Sequence, residues 1–153
     1  MATYDPYLEK IFPKIKNEGY DVTSPIDPRY NCFAWAAENN KLWYEPDYNY
    51  IGYWPVNIAR EYTIDALINL YQSLGYDICE NGELEKNYEK IAIYIDVNNI
   101  PQHAARQLDS GAWTSKLGVD KDIQHKTLEG LEGSSYGNVG VILKRQKRKT
   151  KNK

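Results

Sequence analysis

The sequence predicts an α+β domain, with helices near the N-terminus packed on an antiparallel β-sheet that the later part of the chain forms. Helix-forming residues and apolar steps of three and four dominate the first half, whereas four short segments rich in β-branched and aromatic residues dominate the second half. The length of 153 residues, with 42% apolar and 26% charged residues, fits one globular domain. We therefore expect a single domain over residues 1–145 and a basic, flexible tail over residues 146–153.

Three helical segments are predicted in the first half of the chain. Apolar residues recur at helical spacing over residues 6–16, although Pro13 should interrupt that helix. Residues 31–40 (NCFAWAAENN) contain helix-forming alanines and begin with an asparagine that can cap the helix. Residues 57–74 contain no helix breaker, and Gly75 follows them as a C-cap glycine that would end the longest helix.

Two irregular segments flank the second helix. Residues 19–30 contain Gly, Ser and two prolines, which predicts an irregular approach loop. Residues 41–55 (KLWYEPDYNYIGYWP) form an aromatic loop, in which two prolines and a glycine exclude a long regular element. Such side chains more often pack as a small satellite core at the edge of a domain, but they can also wall a binding cleft.

The second half of the chain predicts four short strands. They cover residues 90–97, 102–108, 112–117 and 138–144. Asn98–Asn99 and Asp109–Gly111 are the turns between the first three. Residues 120–122 are interpreted most simply as a solvated turn, and His125 as a solvated residue at the start of a helix.

The cysteine count and the apolar pattern exclude several classes of protein. Cys32 and Cys79 are too few for a disulfide framework, and neither has a Cys or His at zinc-site spacing, so no metal or cofactor is expected. The apolar runs are far shorter than the roughly 20 residues that cross a bilayer. The N-terminus also lacks the basic and apolar regions of a signal peptide, so we expect a soluble, cytoplasmic protein without membrane contact.

The charge of the chain is unevenly distributed. The net charge is -2, yet residues 144–153 (KRQKRKTKNK) carry seven cationic side chains and leave the rest of the chain acidic. Such a segment can make weak, non-specific contacts with the phosphates of nucleic acid. It contains no interleaved aromatic residues, which favours a solvated terminus.

Cys32 is the candidate nucleophile because it falls at the predicted start of a helix, where the partial positive charge stabilises a thiolate. His103 lies in a predicted strand, where an imidazole can accept and return a proton if folding brings it to the sulfur. A lone cysteine is more often a small buried residue, and a lone strand histidine is more often a hydrogen-bonded polar residue. Cys79 lies beside acidic residues and is expected to be structural.

A third residue must orient the imidazole of His103. The candidates on and after the next strand are Thr114, Ser115, Lys116, Asp122 and His125. In an antiparallel hairpin that turns at Asp109–Gly111, a position near Ser115 lies beside His103. Ser115 is therefore the preferred candidate.

Five segments carry a resemblance to a known family. They are NCFAWAA, KIAIYIDVNNIPQHAARQL, GAWTSKLG, DIQH and SSYGNVGVILKR. Over about residues 30–145 they resemble an uncharacterised bacterial domain family associated with the papain-like cysteine hydrolase superfamily, including its compact NlpC/P60 and CHAP relatives. The resemblance implies a compact papain-like fold, with Cys32 as nucleophile, His103 as general base and acid, and Ser115 where the family more commonly has Asn, Asp, Gln or His.

The chain departs from papain itself, since it lacks the C-G-[SA]-C-[WY] signature and has no Gln before Cys32 at the usual oxyanion position. The backbone amide of Cys32 and the side chain of Asn31 are the candidate oxyanion donors. Trp54 in the aromatic loop and Trp113 on the strand of Ser115 are the candidate substrate contacts.

Two functions remain open from the sequence. The first is a cysteine hydrolase or acyl transferase for an amide or ester bond, with a peptide, isopeptide or peptidoglycan-type amide as the class that the resemblance implies. The second is a non-catalytic binding protein of the same fold, in which Cys32 is only a buried residue. Contact between the side chains of Cys32 and His103 would separate the two.

Overall fold

The computed structural model describes residues 5–118 and 120–147, and its centre is a seven-stranded antiparallel sheet with helices on both faces. The helices are α1 Pro6–Ile11, α2 Pro13–Glu18, α3 Cys32–Ala36 and α4 Ile64–Gln72, and a short 3₁₀ helix covers Glu129–Leu131. The strands are β1 Tyr20–Ser24, β2 Asp77–Cys79, β3 Tyr88–Ile95, β4 Pro101–Gln107, β5 Trp113–Lys116, β6 Asp122–His125 and β7 Asn138–Gln146. Their order in the sheet is β1-β6-β5-β4-β3-β7-β2. The predicted α+β class is confirmed, with more sheet than helix.

The four predicted strands are present as β3, β4, β5 and β7, and their ends differ from the prediction by at most two residues. Three further strands, β1, β2 and β6, lie where the sequence predicts irregular or polar segments. β1 and β6 pair with each other, with Val22 opposite Ile123. These short segments are held as strands by their neighbours, because strand preference depends on packing more than on composition.

The structure corrects the predictions made for the segment that forms β6. The solvated turn at 120–122 is wrong at Asp122, which is 2% exposed in β6, whereas Asp120 and Lys121 precede the strand and are half-buried. The solvated His125 is wrong, since its side chain is 1% exposed. The reason is position, because β6 lies between β1 and β5 in the interior of the sheet. Burial of this kind depends on long-range pairing, which the four letters DIQH do not reveal.

Prolines and caps set the ends of the helices. Pro13 ends α1 and starts α2, as predicted, because it has no amide hydrogen to donate to the first helix. α4 begins at Ile64 rather than near residue 57, because the side chain of Thr63 accepts a hydrogen bond from the amide of Ala66 and caps the helix there. Gly75, at φ +98, ends the helix as expected.

The two faces of the sheet bury two separate apolar clusters. The α3 face packs α3 and α4 against side chains that include Ile91, Ile93 and Ala104. The opposite face, called the α1 face below, packs α1, α2 and the 3₁₀ helix against side chains that include Tyr94 and Ala105. Alternation along β3 and β4 thus assigns successive residues to opposite faces.

The C-terminal boundary differs slightly from the prediction. β7 extends to Gln146, and the amide of Lys147 donates to the carbonyl of Asn87 at 2.8 Å, so the first two residues of the predicted tail belong to the fold. Of the predicted tail, residues 148–153 lie outside the described residues. The three cations within residues 144–147 pair with carboxylates of this chain: Lys144 with Glu85, Arg145 with Glu38 and Glu89, and Lys147 with Asp109.

Candidate functional site

The candidate site lies where β4 and β5 diverge. The two strands pair only at Arg106 with Thr114 and at Gln107 with Trp113. The preceding part of β4 is paired with β3 alone. Helix α3 lies over this opening on one face, where the indole Nε1 of Trp35 donates to Thr114 Oγ1 at 2.9 Å.

Cys32 is the first residue of α3, as predicted, and its thiol is buried in the cluster of the α3 face. Burial raises the pKa of the Cys32 thiol to about 12, although the backbone amides of Ala104, Phe33 and Cys32 itself act in the opposite direction. The expected lowering of this pKa by the start of the helix is therefore wrong, because α3 is short and the loss of water outweighs its amides. Cys32 is a neutral thiol in this conformation.

Three polar side chains lie together on the α1 face. His103 Nε2 is 2.9 Å from Ser115 Oγ, and the same oxygen is 2.8 Å from His125 Nε2. His125 Nδ1 is 2.9 Å from the carbonyl oxygen of Thr127. His103, Ser115 and His125 are all fully buried or nearly so. We call the chain of hydrogen bonds from Thr127 through His125 and Ser115 to His103 the relay.

The carbonyl of Thr127 fixes the direction of every hydrogen bond in the relay. A carbonyl oxygen only accepts, so His125 Nδ1 carries a hydrogen and His125 Nε2, in the neutral ring, does not. Ser115 must then donate its hydroxyl hydrogen to His125 and accept one from His103 Nε2. Neutral His103 is therefore protonated at Nε2, which leaves its Nδ1 with a free lone pair.

Burial keeps both imidazoles neutral. It lowers the pKa of His125 to about 4, partly offset by the hydrogen bond to Thr127. The pKa of His103 lies well below its ordinary value, first because of burial and second because of the neighbouring His125. The tautomers assigned to the relay are therefore those that hold at neutral pH.

His103 Nδ1 is buried and has no hydrogen-bond partner among the described residues. Its ring is held by aromatic neighbours instead, with Tyr136 stacked on it at a centroid distance of 4.2 Å and Tyr94 tilted against it at 5.3 Å. A buried nitrogen without a partner is costly, and such groups concentrate at functional positions. This is the one relay atom left available for chemistry.

The structure brings some predicted site residues together and assigns others to separate faces. Ser115 contacts His103, as the hairpin geometry predicts. Cys32 packs on the α3 face with Ala104, and that residue's amide, next in the chain to His103, interacts with the sulfur. The Cys32 thiol is thus adjacent to the backbone of β4, while the His103 ring is directed to the α1 face.

His125 is the residue whose contribution the sequence understates. The sequence offers it only as an alternative to Ser115 for the third residue, yet it bonds to Ser115 and to Thr127 in the relay. The signal that could have revealed it is alternation, because Trp113 lies opposite His125 in the sheet and shares a face with Ser115. That reasoning requires the pairing of β5 with β6.

The remaining predicted site residues have structural contacts. Asn31 caps α3 through Ala34, and its side chain also holds Tyr44 by accepting from its amide at 3.1 Å and donating to its carbonyl at 2.7 Å. Trp54 is 4% exposed in the same cluster as Cys32, and Trp113 is 3% exposed on the α1 face. In this conformation neither tryptophan presents a broad surface to a substrate.

The cavities beside the aromatic loop lie away from Cys32 and His103, although Trp54 lines one of them. Two surface cavities of about 500 and 490 Å³ are lined by the aromatic loop and the residues after it, and neither Cys32 nor His103 lines them. Within 5–118 and 120–147, no group of three or more His, Cys, Asp or Glu side chains is arranged to hold a metal ion. No helix in the same ranges is long and apolar enough to cross a membrane.

Comparison with known proteins supplies one family. Residues 21–144 match the profile of a family described as a domain of unknown function, DUF7689. The chain belongs to this DUF7689 family. No curated protein and no solved structure matches the chain. The DUF7689 match covers α3, α4, every residue of the relay and all of the sheet except Tyr20 of β1 and Arg145 and Gln146 of β7.

Proposed function

We propose that this DUF7689 domain is a cysteine hydrolase or acyl transferase that acts on an amide or ester bond through Cys32 and His103. The observation that carries the proposal is the relay, whose direction leaves an unprotonated, unpartnered Nδ1 on His103. A positioned imidazole nitrogen in that state is a general base. We assign the Cys32 thiol as the acid that gives it a proton, because the amide of Ala104, the residue after His103, interacts with the sulfur. The thiol and the His103 ring lie on opposite faces of the sheet, so the proposal requires a rearrangement at the opening between β4 and β5 that brings Cys32 Sγ to His103 Nδ1.

The reaction follows from these assignments. Once this rearrangement has brought the two side chains together, the proton of Cys32 passes to His103 Nδ1 as Sγ bonds to the substrate carbonyl carbon. The imidazolium then returns that proton to the leaving nitrogen or oxygen as its bond to the carbonyl carbon breaks, which leaves a thioester on Cys32. Water or another acceptor gives a proton to Nδ1 and attacks the thioester, and the departing sulfur recovers the proton.

The burial of both groups sets the timing of the first proton transfer. With the pKa of the thiol raised to about 12 and that of His103 lowered, the resting pair is a neutral thiol and a neutral imidazole. The proton therefore moves during the attack on the carbonyl, not before it. Ser115 and His125 assist by holding the Nε2 hydrogen of His103, so that Nδ1 is the nitrogen that accepts.

An activated ester tests the proposal without knowledge of the natural substrate. We expect full-length protein treated with p-nitrophenyl acetate to release nitrophenolate and to carry an acetyl group on Cys32, located by mass spectrometry. Cys32→Ala and His103→Ala should lose this reaction, and Ser115→Ala should reduce it moderately because a hydroxyl orients less strongly than a carboxylate.

Cys79→Ala is the matched control, because it removes the other free cysteine of the described chain, which lies in β2. It should leave acetylation of Cys32 unchanged. Acetylation confined to Cys79, or an unchanged reaction rate in Cys32→Ala, would contradict the covalent mechanism.

Binding without catalysis is the second candidate, and the burial of the Cys32 thiol favours it. Under this proposal the aromatic loop, which exposes Tyr48, Tyr50 and Ile51, is the contact surface. The ester assay separates the two candidates, since a binding protein gives no acyl-enzyme. A peptide or other amide-containing molecule is the partner proposed in either case, in the cytoplasm, and nucleic-acid contact through the basic tail stays a prediction.

A further inference from the structure

Tyr136 stacks on the imidazole of His103, the ring whose Nδ1 the relay leaves free to react. Its ring is parallel to the ring of His103, with an interplanar angle of 4° and a centroid distance of 4.2 Å. It also contacts Phe12, at 5.1 Å, and Tyr94, at 6.3 Å. Tyr94 also contacts the His103 ring, so Tyr136 packs against both the apolar cluster of the α1 face and the imidazole.

The segment that carries Tyr136 is built to lie in one place. The amides and carbonyls of Gly133 and Gly137 exchange hydrogen bonds of 3.0 and 2.8 Å, which closes a short loop around Tyr136. Gly137 has φ +75, and a Cβ there would lie 2.0 Å from the carbonyl oxygen of Ile95. Only glycine permits this approach, so the backbone beside Tyr136 rests directly on the end of β3.

Hydrogen bonds alone do not fix the His103 ring. Its Nε2 is held by Ser115, but Nδ1 has no partner among the described residues, so one bond leaves the ring free to tilt about that contact. Aromatic stacking supplies the missing constraint, because it fixes the plane of the ring.

We infer that Tyr136 is a positioning residue, whose stacked ring holds His103 in the plane that keeps its Nε2 hydrogen on Ser115 and its Nδ1 unprotonated. The inference rests on the proposed function, because the value of that orientation lies in proton transfer from Cys32. The phenol hydroxyl has no role in it. The aromatic face is the part that acts.

Nuclear magnetic resonance tests the inference directly, because the chain contains two histidines. In ¹⁵N-labelled, untagged protein, two-bond ¹H–¹⁵N correlations distinguish a protonated ring nitrogen from an unprotonated one. At neutral pH we expect His103 to show a single tautomer with the hydrogen on Nε2. Tyr136→Ala should shift the two His103 nitrogen signals toward each other, as both tautomers become populated, while Tyr136→Phe should reproduce the native spectrum.

The titration of His103 gives a second readout. Three titratable groups face the His103 ring: His125 from β6, Tyr94 from β3 and Tyr136. Three carboxylates act in turn on Tyr94: Glu18 of α2, Glu129 of the 3₁₀ helix and Glu132, which follows that helix. Of the three groups that face His103, only His125 titrates in acid, because burial raises the pKa of both phenols. Tyr136→Ala should move the His103 midpoint upward toward its ordinary value near 6.5.

Phe12→Leu is the matched control, because it loosens the same cluster and removes an aromatic neighbour of Tyr136 without touching His103. It should leave the His103 tautomer unchanged. If Tyr136→Ala does not fold, Tyr136→Leu fills similar space without an aromatic face and provides the same comparison. A native His103 tautomer in Tyr136→Ala or Tyr136→Leu would overturn the inference, and so would equal changes in Tyr136→Phe and Tyr136→Ala.

The ester assay distinguishes failure of this inference from failure of the proposed function. If Cys32 is acetylated in the native protein, Tyr136→Ala should lower kcat by roughly ten- to a hundredfold through misplacement of the base, and Tyr136→Phe should restore it. If Cys32 is never acetylated but Tyr136→Ala still disturbs the tautomer, the proposed function is wrong and the positioning contact stands. If acetylation proceeds and the tautomer is insensitive to Tyr136, the function stands and the inference fails.

Discussion

The two faces of the sheet both bury polar side chains, but they use them differently. On the α3 face, Lys116 donates to the carbonyls of Asp27 and Gly118, and Tyr30 donates to Asp122. The bonds made by Asp27 and Tyr30 tie the sheet to the loop before α3. On the α1 face, the polar side chains of β4, β5 and β6 bond to one another in series. The first arrangement fixes packing, whereas the second fixes the direction of protons.

The difference shows why the neighbouring residues Thr114 and Ser115 have unlike roles. Thr114 faces α3 and accepts one bond from Trp35, a donor that could find another partner at small cost. Ser115 faces the α1 cluster and is the shared partner of two buried imidazoles. A one-residue step along β5 therefore changes a packing contact into the centre of the relay.

The largest expected effect is the loss of stability when the shared hydroxyl of the relay is removed from β5. Ser115→Ala leaves an unsatisfied Nε2 on both His103 and His125, and at about 2 kcal/mol for each buried group it should lower the free energy of unfolding by about 4 kcal/mol. Thr114→Val, the control on the other face, should cost only about 1 kcal/mol. Urea unfolding at neutral pH measures both, and equal losses would show that the two faces do not differ.

The second expected effect is a loss of stability in acid that arises from the α1 face. His125 has a pKa of about 4 when folded and near 6.5 when unfolded, so between these values the unfolded chain binds a proton that the folded chain does not. The free energy of unfolding should therefore fall as the pH drops through this window, by roughly 3 kcal/mol from His125. The lowered pKa of His103 acts in the same direction.

Urea unfolding over this pH range measures the acid effect, and His125→Gln is its control because it removes the titration while keeping an amide for hydrogen bonding. The slope of stability against pH should be smaller in this variant. An unchanged slope would mean that carboxylates, and not the relay, set the acid sensitivity of the fold.

The smallest expected effect concerns the α3 face alone. Asn31→Ala removes the cap of α3 and the two bonds to Tyr44, and it should cost about 1 kcal/mol, whereas Asn31→Asp keeps the acceptor and should cost less. The His103 tautomer should not change in either variant. Thermal unfolding and the histidine spectrum check the two parts, and a changed tautomer would show that the faces are coupled.

The sequence predicts a good part of the fold, and particular residues show the reason. Pro13, Gly75 and the alternating strands carry local signals that act through backbone geometry, so they are readable in order along the chain. β1 and β6 carry no comparable signal, because their strand state depends on each other. The sequence also predicts that α4 starts too early, near residue 57, because apolar residues continue at helical spacing before the cap at Thr63.

The candidate site is predictable only in part. Ser115 could be assigned to His103 because both lie on one hairpin, where register and parity follow from the turn. His125, Thr127 and Tyr136 could not, since they reach the relay from β6 and from later loops. The pKa of the Cys32 thiol is raised, where the start of the helix predicts that it is lowered, because desolvation outweighs the helix amides. Desolvation depends on how the chain packs and is therefore not readable from the local sequence.

The sequence by itself determined the α+β class, the four main strands and the position of Cys32 at the start of a helix, and it favoured Ser115 as the neighbour of His103. Each depends on interactions between residues close in the chain or joined by one turn. Only the tertiary structure decided that Cys32 and the His103 ring belong to different faces, that His125 is buried, and which nitrogen of His103 is free. Those features depend on long-range strand pairing and on the exclusion of water. The direction of the protons depends on one carbonyl, that of Thr127, which lies more than twenty residues after His103 in the chain.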